Sequence, residues 1–207
     1  MGDGFVAPRA STPEDPLRVA VLLSGSGSGL AALLKHQQNE GCTHKTVMVI
    51  SDKPNAGGLA HAEHYGIPSM SIPLSEEISG LERRIEQEAR VLRELAQSGA
   101  ELVVLSGYMR ILTSDFVSRW KGRLINIHPS LLPLFPGAHA HRDVLAAGED
   151  ESGCTVHLVD EGVDTGPILA QRTVPVHKGD TVDSLGARVR KVEHVLYPGV
   201  LDRFCSD

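Results

Sequence analysis

The residues with most chemical potential are an amide, an imidazole and a carboxylate: Asn126, His128 and Asp164. Asn126-Ile127-His128-Pro129 closes an apolar run, and strand alternation puts Asn126 and His128 on one face. An amide that donates hydrogen bonds, beside an imidazole that can carry a proton, can stabilise a developing oxyanion and move protons. Asp164 sits in Glu161-Gly162-Val163-Asp164-Thr165-Gly166, and a carboxylate near His128 would favour the imidazolium and orient its proton. Each residue also has a plain structural reading. A single histidine at a strand end commonly serves packing, and Asp before Thr-Gly is ordinary turn chemistry.

A second feature is Gly25-Ser26-Gly27-Ser28-Gly29, which follows an apolar run and opens a helix former. Backbone N–H groups at a helix start point at a bound anion, and the helix dipole favours negative charge there. The loop lacks the Lys and Ser/Thr of a Walker A motif, and its glycine spacing misses the dinucleotide fingerprint. A monophosphate suits it better than a dinucleotide; the alternative is a tight turn with no ligand.

His128, His139, His141 and His157 raise the question of a metal. No Cys or carboxylate completes an obvious set with them, so no metal is expected. Cys42, Cys154 and Cys205 have no metal-like spacing and read as reduced thiols.

The elements that must position these groups follow from hydrophobic patterning. Segments 17–24, 45–51 and 101–107 are short, apolar and Val/Leu/Ile-rich, as strands buried on both faces are, and 68–72 reads as a shorter strand. Helical segments at 30–38, 58–66 and 81–99 alternate with them. This predicts an α/β fold with a Rossmann-like, mainly parallel sheet flanked by helices. In the second half, 123–130 is a strand running into a Pro-rich loop, and 141–148 a helix. Segments 153–160 and 168–176 form an antiparallel strand pair around the Asp164 loop, and 180–204 a final helix kinked near Pro198. Residues 1–16 read as a mobile tail, and 17–207 as a single domain.

The net charge of −6 and 4% aromatic content argue against a nucleic-acid binder. No apolar run approaches the roughly 18 residues of a membrane span. The first residues lack a basic-then-apolar secretory signal, and Met1-Gly2 does not open a myristoylation pattern. A cytoplasmic protein acting on small molecules, as a monomer or homodimer, is expected.

Four motifs stand in the order and spacing of a known family: Leu-Ser-Gly-Ser-Gly-Ser at 23–28, Gly-Tyr-Met-Arg-Ile-Leu at 107–112, Asn-Ile-His-Pro-Ser-Leu-Leu-Pro at 126–133 and Val-Asp-Thr-Gly-Pro-Ile at 163–168. Over about residues 17–204 the chain resembles the phosphoribosylglycinamide formyltransferases, folate-dependent enzymes of purine synthesis. The Asn-x-His segment and downstream Asp belong to a wider formyltransferase superfamily. The glycine loop and the His-Pro-Ser-Leu-Leu-Pro-x-x-Pro-Gly-x-His-x-His stretch at 128–141 are narrower.

The resemblance implies a formyl group moving from 10-formyltetrahydrofolate, a cosubstrate, to the amine of the ribonucleotide, with Asn126, His128 and Asp164 catalytic and no metal. It implies a phosphate-binding N-terminal half, with Gly27, Ser28 and Gly29 holding the substrate phosphate, Arg190 beside it and Glu193 meeting the ribose hydroxyls or the phosphate end. The C-terminal half would bind folate and catalyse. Arg84 would meet the folate tail. Met109, Arg110, Ile111 and Leu112 would line the pterin pocket with Asn126, and Val159, Glu161 and the 160–164 loop would close it. Leu132-Pro133 would be a cis peptide. Two departures stand out: Gly29 replaces the family's usual Asn, and Tyr108 its usual Phe. A formyltetrahydrofolate hydrolase is expected to carry a regulatory domain of about 80 residues before the first strand, where this sequence has roughly 16.

Overall fold

The structure, a computed structural model, describes residues 5–206, with side chains to Phe204. The strands are β1 (Leu17–Leu23), β2 (His44–Ser51), β3 (Ser69–Ser71), β4 (Leu102–Leu105), β5 (Leu124–His128), β6 (Glu151–Leu158) and β7 (Ile168–Pro175). The helices are α1 (Ser28–His36), α2 (Gly57–His64), α3 (Gly80–Ser98), α4 (Ser114–Arg119), α5 (Ala140–Ala147) and α6 (Val182–Ser206).

One seven-stranded sheet runs β3-β2-β1-β4-β5-β6-β7. β1 to β5 are parallel, whereas β6 pairs antiparallel with β5 and with β7. The mainly parallel sheet and the antiparallel C-terminal pair both match the expectation. The chain winds outward from β1 to β3, then returns to add β4 on the other side of β1. That reversal makes the carboxyl ends of β1 and β4 a topological switch point, where open α/β sheets gather ligands.

Period-two alternation sorts the core. Leu17, Val19, Val21 and Leu23 of β1 join a buried cluster with Leu30, Leu33 and Leu34 of α1, Ala62 of α2, and Leu185 and Val189 of α6. Ala20 and Leu22 point the other way, into a cluster with Val91 and Leu95 of α3 and Phe116 and Val117 of α4. The Tyr197 hydroxyl of α6 is buried near the backbone of two strands, 3.1 Å from the Leu105 carbonyl and 3.0 Å from that of Ile125.

Several expectations change. Residues 5–16 are not a free tail. Val6 N–H donates to the Lys121 carbonyl at 3.1 Å, the buried Ser11 hydroxyl donates to that of Thr43 at 2.8 Å, and Arg9 Nε meets Glu101 Oε1 at 2.7 Å. The partners lie far along the chain, which the segment's polar composition cannot reveal. Residues 1–4 of that expected tail, the Met1-Gly2 start among them, and the Cys205 thiol lie outside the described residues. Helix α4 was not anticipated; Thr113 caps it by accepting from Phe116 N–H at 3.3 Å. Strand β4 stops at Leu105, two residues short of the expected end. Pro198 lies inside α6 without ending it. The start signal at Asp180-Thr181 does operate: Thr181 Oγ1 accepts from Ser184 N–H at 3.2 Å.

Candidate active site

The glycine loop leaves β1 and opens α1. Gly27 is the residue before the helix, at φ +73°, and no side chain caps the first turn. The leading N–H groups therefore keep donors for an anion. Glycine is required at 27: a Cβ there would stand 2.4 Å from the Gly58 Cα. At Gly29 a Cβ would stand 2.6 Å from the Ser106 hydroxyl, so the space of the family's usual Asn side chain is partly taken by Ser106.

This loop floors a cavity of about 400 Å³. Gly27, Ser28, Gly29, Arg190 and Glu193 all line it. Lys53, Ser106, His141, His194 and Tyr197 line it too, and nothing in their local sequence singled them out. His194 Nε2 lies 3.4 Å from Ser28 Oγ. Burial, then Arg190, lowers the basicity of His194; burial, Arg190 and His128 lower that of His141. Burial pushes the Glu193 carboxyl up to about 7 against the opposing pull of Arg190. Near neutrality Glu193 is thus often protonated, which reduces its repulsion of an anion.

A second cavity, about 370 Å³, opens beside the first. Met109, Arg110, Ile111, Leu112, Val159 and Glu161 line it with Asn126, His128 and Asp164. Gly107, Met109, Ile127 and Pro129 line both cavities. Arg84 lines neither; its Nη1 donates to the Ile111 carbonyl at 3.3 Å, tying α3 to the 107–112 loop. That loop is held at two further points. Ser24 Oγ accepts from Met109 N–H at 2.8 Å, and Arg110 Nε meets the buried Asp52 carboxylate at 2.6 Å.

Register assembles the polar trio. Leu105, the last residue of β4, pairs with Asn126, so Ile127 and His128 project past the end of β4. Asn126 pairs with His157 across the antiparallel ladder, placing its amide nitrogen 3.2 Å from His157 Nε2. His157 Nδ1 lies 2.9 Å from the Leu158 carbonyl. The tautomer with its proton on Nδ1 satisfies that carbonyl and leaves Nε2 to accept from Asn126, which fixes which end of the amide faces inward. Asp164 is at φ +55°, a left-handed conformation that Asp tolerates better than most residues. Its Oδ2 lies 3.2 Å from His128 Nδ1 and accepts from Gly137 N–H at 2.8 Å, and its Oδ1 is 3.5 Å from the Asn126 nitrogen. His128 Nε2 is 2.8 Å from the Phe135 carbonyl, so both ring nitrogens face oxygen acceptors. Burial would raise the Asp164 carboxyl, but its polar partners, the Gly137 N–H and His128 among them, hold it below the usual carboxylate range.

The turn after β5 is pinned from β6. Thr155 Oγ1 accepts from Leu132 N–H at 3.0 Å and donates to the Ser130 carbonyl at 2.7 Å, and Leu132-Pro133 is cis. The four histidines weighed for a metal do not converge. His128 and His157 flank Asp164, His141 lines the glycine-loop cavity, and His139 precedes α5.

A family model described as formyl transferase matches residues 17–201. The chain belongs to the formyl transferase family. Phosphoribosylglycinamide formyltransferase of Escherichia coli (strain K12) is 39% identical over 190 residues, 92% of this chain and 88% of that protein. The trifunctional purine biosynthetic protein adenosine-3 of Drosophila melanogaster is 47% identical over 186 residues; they make 89% of this chain but 14% of the fly protein. The crystal structure of phosphoribosylglycinamide formyltransferase from Brucella melitensis superposes with a TM-score of 0.85 at 45% identity, covering 93% of this formyl transferase and 97% of that chain.

Proposed function

We propose that this formyl transferase moves a formyl group from 10-formyltetrahydrofolate to the amine of 5′-phosphoribosylglycinamide, giving the N-formyl product and tetrahydrofolate in purine biosynthesis. One observation carries the reading: two ligand-sized cavities share the walls Gly107, Met109, Ile127 and Pro129, with Asn126, His128 and Asp164 lining one of them. Two substrates that exchange a group need such a junction. The names of the Escherichia coli and Brucella melitensis relatives support the choice of acceptor.

In this reading the ribonucleotide phosphate lies on the N–H groups of Gly27, Ser28 and Gly29, with Arg190 supplying charge and Glu193 meeting the ribose side. The folate lies over Met109, Arg110, Ile111 and Leu112, under Val159 and Glu161. Arg84 takes an indirect part by bracing Ile111. The amine attacks the formyl carbon and an oxyanion forms. The Asn126 N–H whose nitrogen is now 3.5 Å from Asp164 Oδ1 and the His128 N–H now on the Phe135 carbonyl turn to it, each well-placed donor being worth about 3 kcal/mol. Asp164 orients His128 and accepts the proton leaving the attacking amine, through water, for delivery to the folate nitrogen as its bond to the formyl carbon breaks. The steps as written use no metal. In this reading the protein acts on small-molecule substrates in the cytoplasm, as a monomer or homodimer. No helix among the described residues is long and apolar enough to cross a membrane.

The test is an absorbance assay of tetrahydrofolate release with glycinamide ribonucleotide present and absent. Release that requires the ribonucleotide supports transfer; equal release without it makes water the acceptor and the protein a hydrolase.

A further inference from the structure

Away from both cavities, four side chains have the composition of a transition-metal site. His36, Cys42, His44 and Asp202 each offer one ligand atom, and these atoms all lie within 4.8 Å of one another. His36 ends α1, His44 begins β2 and Asp202 is near the end of α6. His44 pairs with Leu17, the first residue of β1, so the cluster lies at the amino end of the central strands, opposite the switch point. Asp202 is its centre. Oδ2 is 2.6 Å from His36 Nε2, and Oδ1 is 3.3 Å from His44 Nε2 and 3.5 Å from Cys42 Sγ. The imidazoles stack with centroids 5.9 Å apart and planes 11° from parallel. Thr43 N–H and Oγ1 orient the carboxylate at 3.3 and 3.4 Å.

Zinc bonds of about 2.0–2.3 Å in tetrahedral geometry set ligand-to-ligand separations of roughly 3.3–3.8 Å. The His44 and Cys42 distances to Asp202 Oδ1 already fall there, whereas His36, now on Oδ2, must draw back. His44 is buried, and its Nε2 makes no well-formed hydrogen bond although it faces Asp202. We propose that His36, Cys42, His44 and Asp202 bind one Zn²⁺ that fastens the end of α6 to α1 and β2.

Binding displaces the Cys42 thiol proton to solvent, and no electron moves. Thiolate and carboxylate then neutralise the cation, which suits a half-buried site. Because that proton must leave, affinity rises with pH. At His44 binding asks for a change of tautomer.

That tautomer gives the proposal its sharpest test. Gln37 Oε1 accepts from Thr46 N–H at 3.0 Å, which turns Gln37 Nε2 toward His44 Nδ1 at 2.9 Å. His44 Nδ1 is therefore an acceptor, and Nε2 holds the proton. A metal on Nε2 needs the reverse, an Nδ1–H that donates. Gln37 must flip and lose Thr46, whereas a carboxylate at 37 accepts from both.

The full chain, stripped with a chelator, is titrated with Zn²⁺ and separately with Co²⁺. One equivalent binds, Co²⁺ gives a thiolate charge-transfer band, and excess Zn²⁺ raises Tm by roughly 4 °C or more. Cys42→Ser abolishes the band. His36→Gln and Asp202→Asn, at partly exposed positions, weaken binding at least about tenfold, and Gln37→Glu tightens it about tenfold. Absence of the band from the native chain, its survival in Cys42→Ser, or weaker binding by Gln37→Glu overturns the proposal. Stoichiometric Zn²⁺ unchanged in every variant places the metal elsewhere and overturns it too.

Discussion

Ser106 Oγ occupies the space into which a side chain at position 29 would grow: a Cβ on Gly29 would stand 2.6 Å away. The Asn that the family resemblance would place at 29 is a glycine here, with Ser106 across the cavity. Restoring the Asn alone should raise KM for the ribonucleotide about tenfold, the effect of overpacking by 1–3 kcal/mol. Gly29→Asn with Ser106→Ala should recover most of that loss. A double-mutant cycle on KM measures the coupling, and simple additivity would show that the two positions do not share the space.

Asp164→Asn keeps the left-handed backbone, which Asn also tolerates, but removes the charge beside His128. We expect single-turnover rates to fall about 10²–10⁴-fold with little change in KM. Full rate under saturating substrates would remove Asp164 from the mechanism.

His157 acts through Asn126. With an apolar side chain in its place, the amide loses the acceptor that fixes its inward face. His157→Leu should lower kcat about tenfold while KM holds, the order of magnitude of a lost positioning contact. His157→Gln, which retains an acceptor, should restore part of the rate. A purely structural role would instead lower Tm in both variants and leave kcat unchanged.

Glu193 should leave a pH signature in stability. Its carboxyl is raised to about 7 from the ordinary 4.5, so the native state binds the extra proton between those values. Stability attributable to this group therefore falls as pH rises from about 4.5 to 7 and is level beyond. Asp164 has the opposite sign: its contribution is present at neutral pH and lost as pH falls through its depressed range. Denaturant midpoints across pH 4.5–7 should fall less steeply in Glu193→Gln. Parallel slopes in the two proteins would refute the assignment.

These tests rest on unequal legibility in the sequence. Buried strands announced themselves as continuous apolar runs, and Asn126, His128 and the glycine loop were readable because motif and strand end coincide. His157 was not. Its place beside Asn126 depends on antiparallel register, and the sequence presented it only as one of several histidines. Ser106 faces Gly29 across 77 positions, and Arg9 finds Glu101 across 92. Helix α4 has too few turns to show a period. Arg84 was assigned to the folate tail by resemblance, whereas its guanidinium reaches the backbone of the loop that lines the cavity. Local chemistry was visible; partners brought together by the fold were not.

The cavity over the glycine loop also has a history in time. Its floor comes from residues 25–29, yet Arg190, Glu193 and His194 come from α6, and Ser28 meets His194 across 166 positions. Closing so long a loop is entropically late and gains nothing until the helix packs. The sheet can pair its first strands well before then, but an anion arriving early finds only half a cradle. Regain of ribonucleotide binding during refolding should therefore coincide with the slowest docking event, making the substrate itself a clock for the arrival of α6.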